Sequence, residues 1–313
     1  MSQVAALDQK TSSSTEQGSW LRRALRRFLR HRLAVVGMTM LGLVMAYVII
    51  GAFFYSERDA NFNDTKRRLV APSAEHPLGT DDIGRDILAR SIYGGQISIL
   101  IGLAAVSVSV TVGVTVGLLS GYYGGWLDSL LMRFTEAMLS IPTILLLLVM
   151  AQILSARIPT VNLLGRSFSG SVIVIVVIIG LTSWMYLSRI VRSSVLSLRE
   201  SEYVLAARAL GADDWRIISQ HILPNTLAPV IVAATLGVAQ AILQEAYISF
   251  LGMGVQAPTA TWGNMLQESR EYIGRAPWLW LVPSLLILLT VMGINFMGDG
   301  LRDAFDPRSD KRM

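Results

Sequence analysis

Long apolar runs alternate with polar segments along most of this chain. Six of these runs contain no charged residue, and each is close to the ~17 to 25 residues that an α-helix needs to cross the hydrocarbon core of a bilayer. The pattern therefore predicts an all-α, multi-pass membrane protein with six transmembrane helices. The runs are 33–55, 97–119, 137–154, 171–188, 226–244 and 278–297.

The segment before the first run has two parts. Residues 1–19 are rich in Ser, Thr and Gln and lack apolar periodicity, which predicts a disordered tail. Residues 20–32 carry apolar side chains at helical spacing among arginines, as in an interfacial helix that contacts membrane lipid. We group 20–55 as an amino-terminal region, because the first run is too long for a signal peptide and no small-residue cleavage site is evident.

Charge distribution predicts the orientation. Basic residues near the membrane mark the cytoplasmic side, and a cytoplasmic amino terminus with six crossings puts both termini inside. The inner segments then hold seventeen of the 27 Lys and Arg residues. The composition agrees with a bilayer protein, since 16% of residues are charged against roughly a quarter in soluble domains. The net charge of +5 is explained by the inner loops, so we do not expect a nucleic-acid partner.

Residue types needed for catalysis or metal binding are scarce. The chain has no cysteine, which excludes a disulfide framework and a thiolate metal site. None of its three lysines follows a glycine, so the phosphate-binding Gly-Lys-Ser/Thr loop is absent. Its three histidines stand alone, without a zinc-type pair. We therefore expect no catalytic residue, no metal site and no enzymatic activity.

The longest outer segment covers 56–95. Its acidic residues Asp81, Asp82 and Asp86 lack the alternating spacing and terminal Glu of a calcium loop. We expect instead that Thr80 or Asp81 caps a helix that leads into the second span.

A polar segment at 200–225 separates the fourth and fifth apolar runs. Its first part predicts a short helix with one apolar face, formed by Tyr203, Ala206, Ala207 and Leu210. The small alanines let a partner backbone approach closely. Gly211 is suited to end this helix, two aspartates suit the start of a second helix, and Pro224 is expected to end that second helix. The sequence thus predicts a helix-turn-helix at the membrane surface.

This segment resembles the cytoplasmic coupling loop of ATP-binding-cassette importer permeases. The family consensus is Glu-Ala-Ala, then Gly, Ile and Leu-Pro at fixed spacing. Here the spacing is kept, but Leu and His replace the consensus Glu and Ile. These substitutions and the neighbouring motifs are similar to the dipeptide, oligopeptide and nickel branch. The matching positions are Leu205-Ala206-Ala207, Gly211, His221 and Leu223-Pro224, with further motifs at 122–128, 140–142 and 295–308.

The resemblance implies a type I importer permease of a prokaryotic plasma (inner) membrane. Its transport core would span 96–300, followed by a cytoplasmic tail at 301–313. It would work with a second, similar permease, an extracytoplasmic solute-binding protein and two cytoplasmic ATPase subunits that bind ATP and Mg, so this chain would hold no cofactor. The outer run 76–86 is a candidate contact for the binding protein.

Coupling residues follow from the same resemblance. We expect Ala206, Ala207 and Gly211 to pack closely against an ATPase subunit, together with Tyr203. We assign polar contacts at the rim to Glu202 and Arg208. We expect Pro224 to fix the angle at which the loop enters the fifth span.

A translocation path or gate has three sequence candidates. Glu245 follows an apolar run, and a carboxylate at that depth should face the helix bundle or a cavity. The alternative is a fixed bond between helices or a position at the headgroups. Gly252 and Gly254 suit a non-helical segment packed against protein at membrane depth. Pro142 predicts a kink in the third span.

Two other functions fit parts of the same sequence. The same machinery can import nickel or another small solute in place of di- or oligopeptides. An ion-coupled secondary transporter would need intramembrane charges and often inverted repeats, for which Glu245 alone is thin support.

Overall fold

A computed structural model describes residues 25–155, 159, 161–163 and 166–305. The predicted disordered tail at 1–19 and residues 306–313 of the predicted carboxyl-terminal tail lie outside the described residues. The fold is almost entirely helical, as predicted. One short antiparallel hairpin, β1 (Val161–Leu163) with β2 (Arg166–Phe168), is the exception.

The described chain contains five long apolar helices and several short ones. The long helices are α1 (Arg32–Phe54), α3 (Ile87–Tyr123), α6 (Gly170–Leu198), α9 (Leu223–Phe250) and α11 (Trp278–Phe305). The others are α2 (Glu57–Ala60), α4 (Gly125–Leu139), α5 (Thr143–Ser155), α7 (Glu202–Ala209), α8 (Asp214–Ile217) and α10 (Trp262–Glu268).

The third predicted span is not a straight helix. Five described helices are long and apolar enough to cross a membrane, and the predicted total of six is reached when α4 and α5 count as one broken span. These two helices meet at an angle of 84° across residues 140–142. Pro142 lies at the break. It interrupts the helix because proline cannot donate a backbone hydrogen bond and its ring clashes with the preceding turn. The kink was predicted from this proline. The predicted span 137–154 was wrong at its start, because residues 137–139 belong to α4 and the helix that follows the break begins at Thr143.

Helices α3 and α6 form the central pair of the bundle. Three glycines of α3, four residues apart, face α6 along its inner half: Gly113, Gly117 and Gly121. A Cβ atom on Gly117 would lie 2.6 Å from the Cβ of Val191, so only glycine permits this approach. The main hydrophobic core continues along the same pair and reaches α5.

The first and last spans also pack closely. A Cβ atom on Gly37 of α1 would lie 2.6 Å from the backbone oxygen of Gly293 on α11. Phe28, in the helical turn before α1, packs against Ala304 at the end of α11. The imidazole of His31 caps α1 by accepting from the backbone N–H of Ala34, and its Nε2 lies 3.3 Å from Asp303. The chain ends of the described region therefore meet on one side of the bundle.

The start of α3 differs from the expectation. Neither Thr80 nor Asp81 caps it, since the helix begins at Ile87 and Asp86 accepts a hydrogen bond from the backbone N–H of Ala89 at 3.0 Å. Asp81 instead accepts from the backbone N–H groups of Ile83 and Arg85, which folds residues 81–85 into a turn. An aspartate side chain can cap a helix or close a turn. Here Gly84, with φ of +85°, allows the chain to turn, so Asp81 closes the turn.

Candidate functional site

The polar loop at 200–225 forms the two predicted helices. α7 ends near Leu210, and Gly211 has φ of +85°, a conformation that glycine adopts without the penalty of a side chain. α8 then begins at Asp214, as predicted from the two aspartates. A Cβ atom at Gly211 would meet no other atom of this chain within 4 Å, so within the chain the position requires glycine for its backbone conformation and not for space.

Pro224 does not end the second helix, contrary to the prediction. The helix passes from α8 through a π-helical turn, Ile218–Ile222, into α9 without a break. The backbone N–H of Leu223 bonds to the oxygen of Ile218, five residues back. This wider turn accommodates the proline, which is exposed and lies at the start of α9. The second helix of the loop and the fifth span therefore form one continuous helix from Asp214 to Phe250.

One face of the loop is buried against the bundle. Val204, Ile217 and Ile222 are fully buried in a cluster shared with Tyr122 of α3 and with the inner half of α6. Their burial fixes the loop on the inner ends of these spans and leaves the opposite face outward.

That outward face carries several large apolar side chains. Leu210 is 89% exposed, Trp215 75% and Tyr203 43%. Ala206 is exposed and Ala207 half-buried, so small residues lie among the large ones. Apolar residues grouped this way on a surface are typical of a protein contact.

The polar coupling candidates lie at the edge of this face. Glu202 is exposed in the first turn of α7, where its charge suits the helix dipole. Arg208 is also exposed, but its guanidinium lies 5.8 Å from the ring centroid of Tyr122 and 3.5 Å from its hydroxyl oxygen. Arg208 thus contacts its own chain as well as presenting a positive charge outward.

Polar contacts join the loop to the spans above it. The Tyr122 hydroxyl donates to a carboxylate oxygen of Asp214 at 2.6 Å. Arg199, at the end of α6, donates to the backbone oxygen of Gly121 at 3.1 Å. Asp128 of α4 receives two bonds of 2.6 Å from Arg192 of α6. In the sequence, Tyr122 and Asp128 were singled out only as members of a motif similar to that of the family. Their partners Asp214 and Arg192 lie 92 and 64 residues away, so no local pattern indicated these contacts.

Glu245 lies inside the bundle, where it is 1% exposed. Its carboxylate accepts from the hydroxyl of Ser249 at 2.7 Å and from that of Ser98, on α3, at 3.3 Å. The carboxylate therefore joins α3 to α9. Ser249 also accepts from the backbone N–H of Val255, which connects Glu245 to the segment that follows α9.

Gly252 and Gly254 lie in that segment, a non-helical stretch between α9 and α10. Gly252 has φ of +83° and makes the turn out of α9. A Cβ atom on Gly254 would lie 2.0 Å from the hydroxyl oxygen of Ser249, so the close approach requires glycine. The side-chain amide of Asn264 donates to the backbone oxygens of Val255 and Thr259, which supports the stretch from α10.

A cavity of about 380 Å³ opens between α3, α5, α6 and α9. Among the described residues that line it, none has a charged side chain. Most of the wall is apolar, and hydroxyl and amide groups lie at intervals along it. The polar members include Ser109, Thr182, Ser183, Gln240 and Gln244. Sequence reasoning selected the charged neighbour Glu245 and missed the two glutamines, whose four-residue spacing on one helix face was the available signal.

A group of charged residues lies at the opposite end of the bundle from the loop. Arg85 and Arg90 both donate to the carboxylate of Glu268, at 2.8 and 3.0 Å, and Arg85 also pairs with Asp81. Burial opposes the charge on Arg85, but Glu268 and Asp81 outweigh it and raise the pKa of its guanidinium. Arg90 is 2% exposed. These contacts hold the outer segment against α3 and α10.

Within the part of the chain that the structure describes, no group of three His, Asp or Glu side chains is arranged to hold a metal ion.

Family comparisons agree with these features. A family model for the binding-protein-dependent transport system inner membrane component matches residues 113–311. A second, for the N-terminal transmembrane domain of oligopeptide transport permease C, matches residues 19–72.

Three curated relatives cover nearly the whole chain. The dipeptide transport system permease protein DppC of Alkalihalophilus pseudofirmus is 43% identical over 92% of this chain and 90% of its own length. A putative peptide permease protein of Brucella suis is 39% identical over 92% and 91%. The oligopeptide transport system permease protein OppC of Bacillus subtilis is 36% identical over 92% and 90%.

Among solved structures, an inward-facing conformation of the MetNI methionine transporter shares the fold, with a TM-score of 0.51. It is 20% identical and covers 68% of this chain and 95% of its own.

Proposed function

The chain belongs to the binding-protein-dependent transport system inner membrane component family, and we propose that it forms half of an ATP-driven import path for di- and oligopeptides. It is a multi-pass membrane permease subunit of an ATP-binding-cassette importer and not an enzyme, as the sequence predicted. Its fold is that of type I importer permeases. The peptide substrate is supported by relatives that carry dipeptide and oligopeptide permease names.

One observation carries the mechanism: the exposed apolar face of α7 and α8 on a loop whose other face is buried. Leu210 and Trp215 would gain apolar contacts in a groove of an ATPase subunit, while Val204 and Ile217 keep the loop fixed to the bundle. The chain lacks its own Gly-Lys-Ser/Thr phosphate loop, so in this proposal a partner subunit hydrolyses the ATP. Movement of the ATPase groove would then displace the loop and the spans attached to it.

Coupling roles follow from the positions of the loop residues. Tyr203, Ala206 and Ala207 lie in or beside the outward face, where the alanines permit close contact. Glu202 and Arg208 supply charges at its edge. Gly211 sets the turn between the two helices, and Pro224 lies where the loop continues into α9.

The cavity between α3, α5, α6 and α9 is our candidate for this chain's share of the path. Its uncharged wall, with amides and hydroxyls at intervals, suits peptides, whose backbone groups need hydrogen bonds and whose side chains differ in charge. Gln244 lines the cavity, and the adjacent Glu245 holds the segment with Gly252 and Gly254 through Ser249. We assign Glu245, Gly252 and Gly254 to the outer end of the path.

Orientation and partners complete the proposal. Both termini and the loop face the cytoplasm of a prokaryotic cell, in agreement with the distribution of basic residues. A second, similar permease faces the cavity, two ATPase subunits bind ATP and Mg at the inner side, and a solute-binding protein docks on the outer segment. The ion cluster of Arg85, Arg90 and Glu268 gives that segment a fixed shape to dock on.

The test is uptake by purified, reconstituted proteins. Vesicles with the complete importer should accumulate labelled dipeptide and tripeptide only with binding protein and ATP. Vesicles with this chain and its permease partner alone should accumulate neither. Uptake without ATPase subunits in response to a proton or sodium gradient would contradict the proposal and support a secondary transporter. ATP-driven uptake of nickel but of no peptide would keep the importer and refute the peptide substrate.

A further inference from the structure

Tyr122 occupies the point where the coupling loop meets the membrane helices. It is the penultimate residue of α3, just before the turn at Gly124 and Gly125, and is 6% exposed. Its ring belongs to the hydrophobic cluster that buries Val204 of α7 and Ile217 of α8. Its hydroxyl reaches further, to the aqueous edge of that cluster.

Two polar groups from the loop converge on this ring. Asp214, the first residue of α8, accepts the hydroxyl proton of Tyr122 in a bond of 2.6 Å. Arg208, near the end of α7, lies over the ring and within 3.5 Å of the hydroxyl oxygen. One side chain of α3 therefore contacts both helices of the loop, on either side of Gly211.

These polar contacts restrain the orientation of the loop, which the apolar cluster does not. Apolar packing is non-directional, so Val204 and Ile217 hold the loop against the spans without setting its orientation. A hydrogen bond to a charged group depends on distance and angle, so it resists sliding and rotation. Further along the same surface, Arg199 fixes the end of α6 to Gly121, the residue before Tyr122.

We infer that Tyr122 is a positioning residue that makes the coupling loop and the inner halves of α3 and α6 move as one body. The close packing of Gly113, Gly117 and Gly121 against α6 makes the two spans rigid relative to each other. The Tyr122 to Asp214 bond then transfers a displacement of the loop to that pair instead of letting the loop shift alone. This inference rests on the proposed coupling to ATPase subunits.

The decisive measurement is peptide uptake per ATP hydrolysed by the complete reconstituted importer. We expect Tyr122→Phe and Asp214→Ala each to keep ATP hydrolysis and complex assembly while this ratio falls by about tenfold, as for the loss of one hydrogen bond to a charged group. The double variant should lose no more than either single variant, since both remove the same bond.

Matched controls lie at the adjacent positions. Tyr123→Phe removes a hydroxyl from a half-exposed ring, and Asp213→Ala removes a carboxylate that makes no capping bond to α8. Both should keep the wild-type ratio.

Three results separate the possible failures. Wild-type vesicles without ATP-dependent uptake would refute the proposed function itself. An active wild type with unchanged ratios in both variants would overturn only the inference, as would uptake and hydrolysis falling in proportion, which is the sign of a merely structural role. If Tyr122→Phe does not assemble, Asp214→Ala, a change at an exposed residue, decides the question alone.

Discussion

Truncation of Leu210 to alanine tests the docking face of the loop. Leu210 is 89% exposed, so its removal costs little intramolecular packing and should leave the stability of the permease unchanged. In a partner groove, burial of a leucine side chain contributes about 1.5–3 kcal/mol. Alanine retains one of its carbons, so the expected loss is about 1–2 kcal/mol, which weakens ATPase binding about 5- to 30-fold.

The assay is the dissociation constant of the purified ATPase subunits for the permease pair in nanodiscs. Leu43→Ala is a matched control, because Leu43 is 73% exposed on α1 and undergoes the same chemical change away from the loop. Equal affinities of the Leu210→Ala and wild-type proteins would refute the assignment of this face. Equal losses in both variants would indicate a general effect of exposed leucines.

Three further perturbations test other parts of the structure. Gly211→Val should reduce uptake per ATP hydrolysed, because a side chain at φ of +85° costs about 1–2 kcal/mol and the turn must change. Glu268→Ala should lower the Tm of the permease by several degrees, because the buried Arg90 loses its nearest carboxylate, at a cost of about 3 kcal/mol. Glu245→Leu should reduce uptake without loss of ATPase binding, whereas Glu245→Gln, which keeps one acceptor, should transport normally between pH 6 and 8, about the physiological range.

Each of these variants has its own contradictory outcome. Gly274→Val is the control for Gly211, since both glycines are exposed and open to a Cβ atom but only Gly211 has a positive φ; equal effects would remove the backbone explanation. An unchanged Tm in Glu268→Ala would mean that Asp81 alone stabilises Arg90. Loss of uptake in Glu245→Gln would show that the charge itself is required for transport.

Helix ends illustrate where the sequence pattern loses information. The apolar runs located the spans, but α3 and α6 extend well beyond 97–119 and 171–188. Hydropathy marks only the part of a helix in hydrocarbon, whereas polar turns continue into the headgroups and the water. The break before α5 was signalled by Pro142, although its size was not. Pro224 was misread, because a π turn accommodates a proline that normally ends a helix.

Local features of the sequence were enough to predict the membrane class, the approximate spans, the family and the two-helix loop with its turn at Gly211. These depend on local composition, periodicity and spacing, which a bilayer and a helix impose on any chain. Other features emerged only from the packing of the helices: Tyr122 contacts Asp214, Glu245 joins Ser98 to Ser249, and Gln240 and Gln244 line a cavity. Such contacts join helices far apart in sequence, so they depend on how the helices pack, which no local pattern encodes.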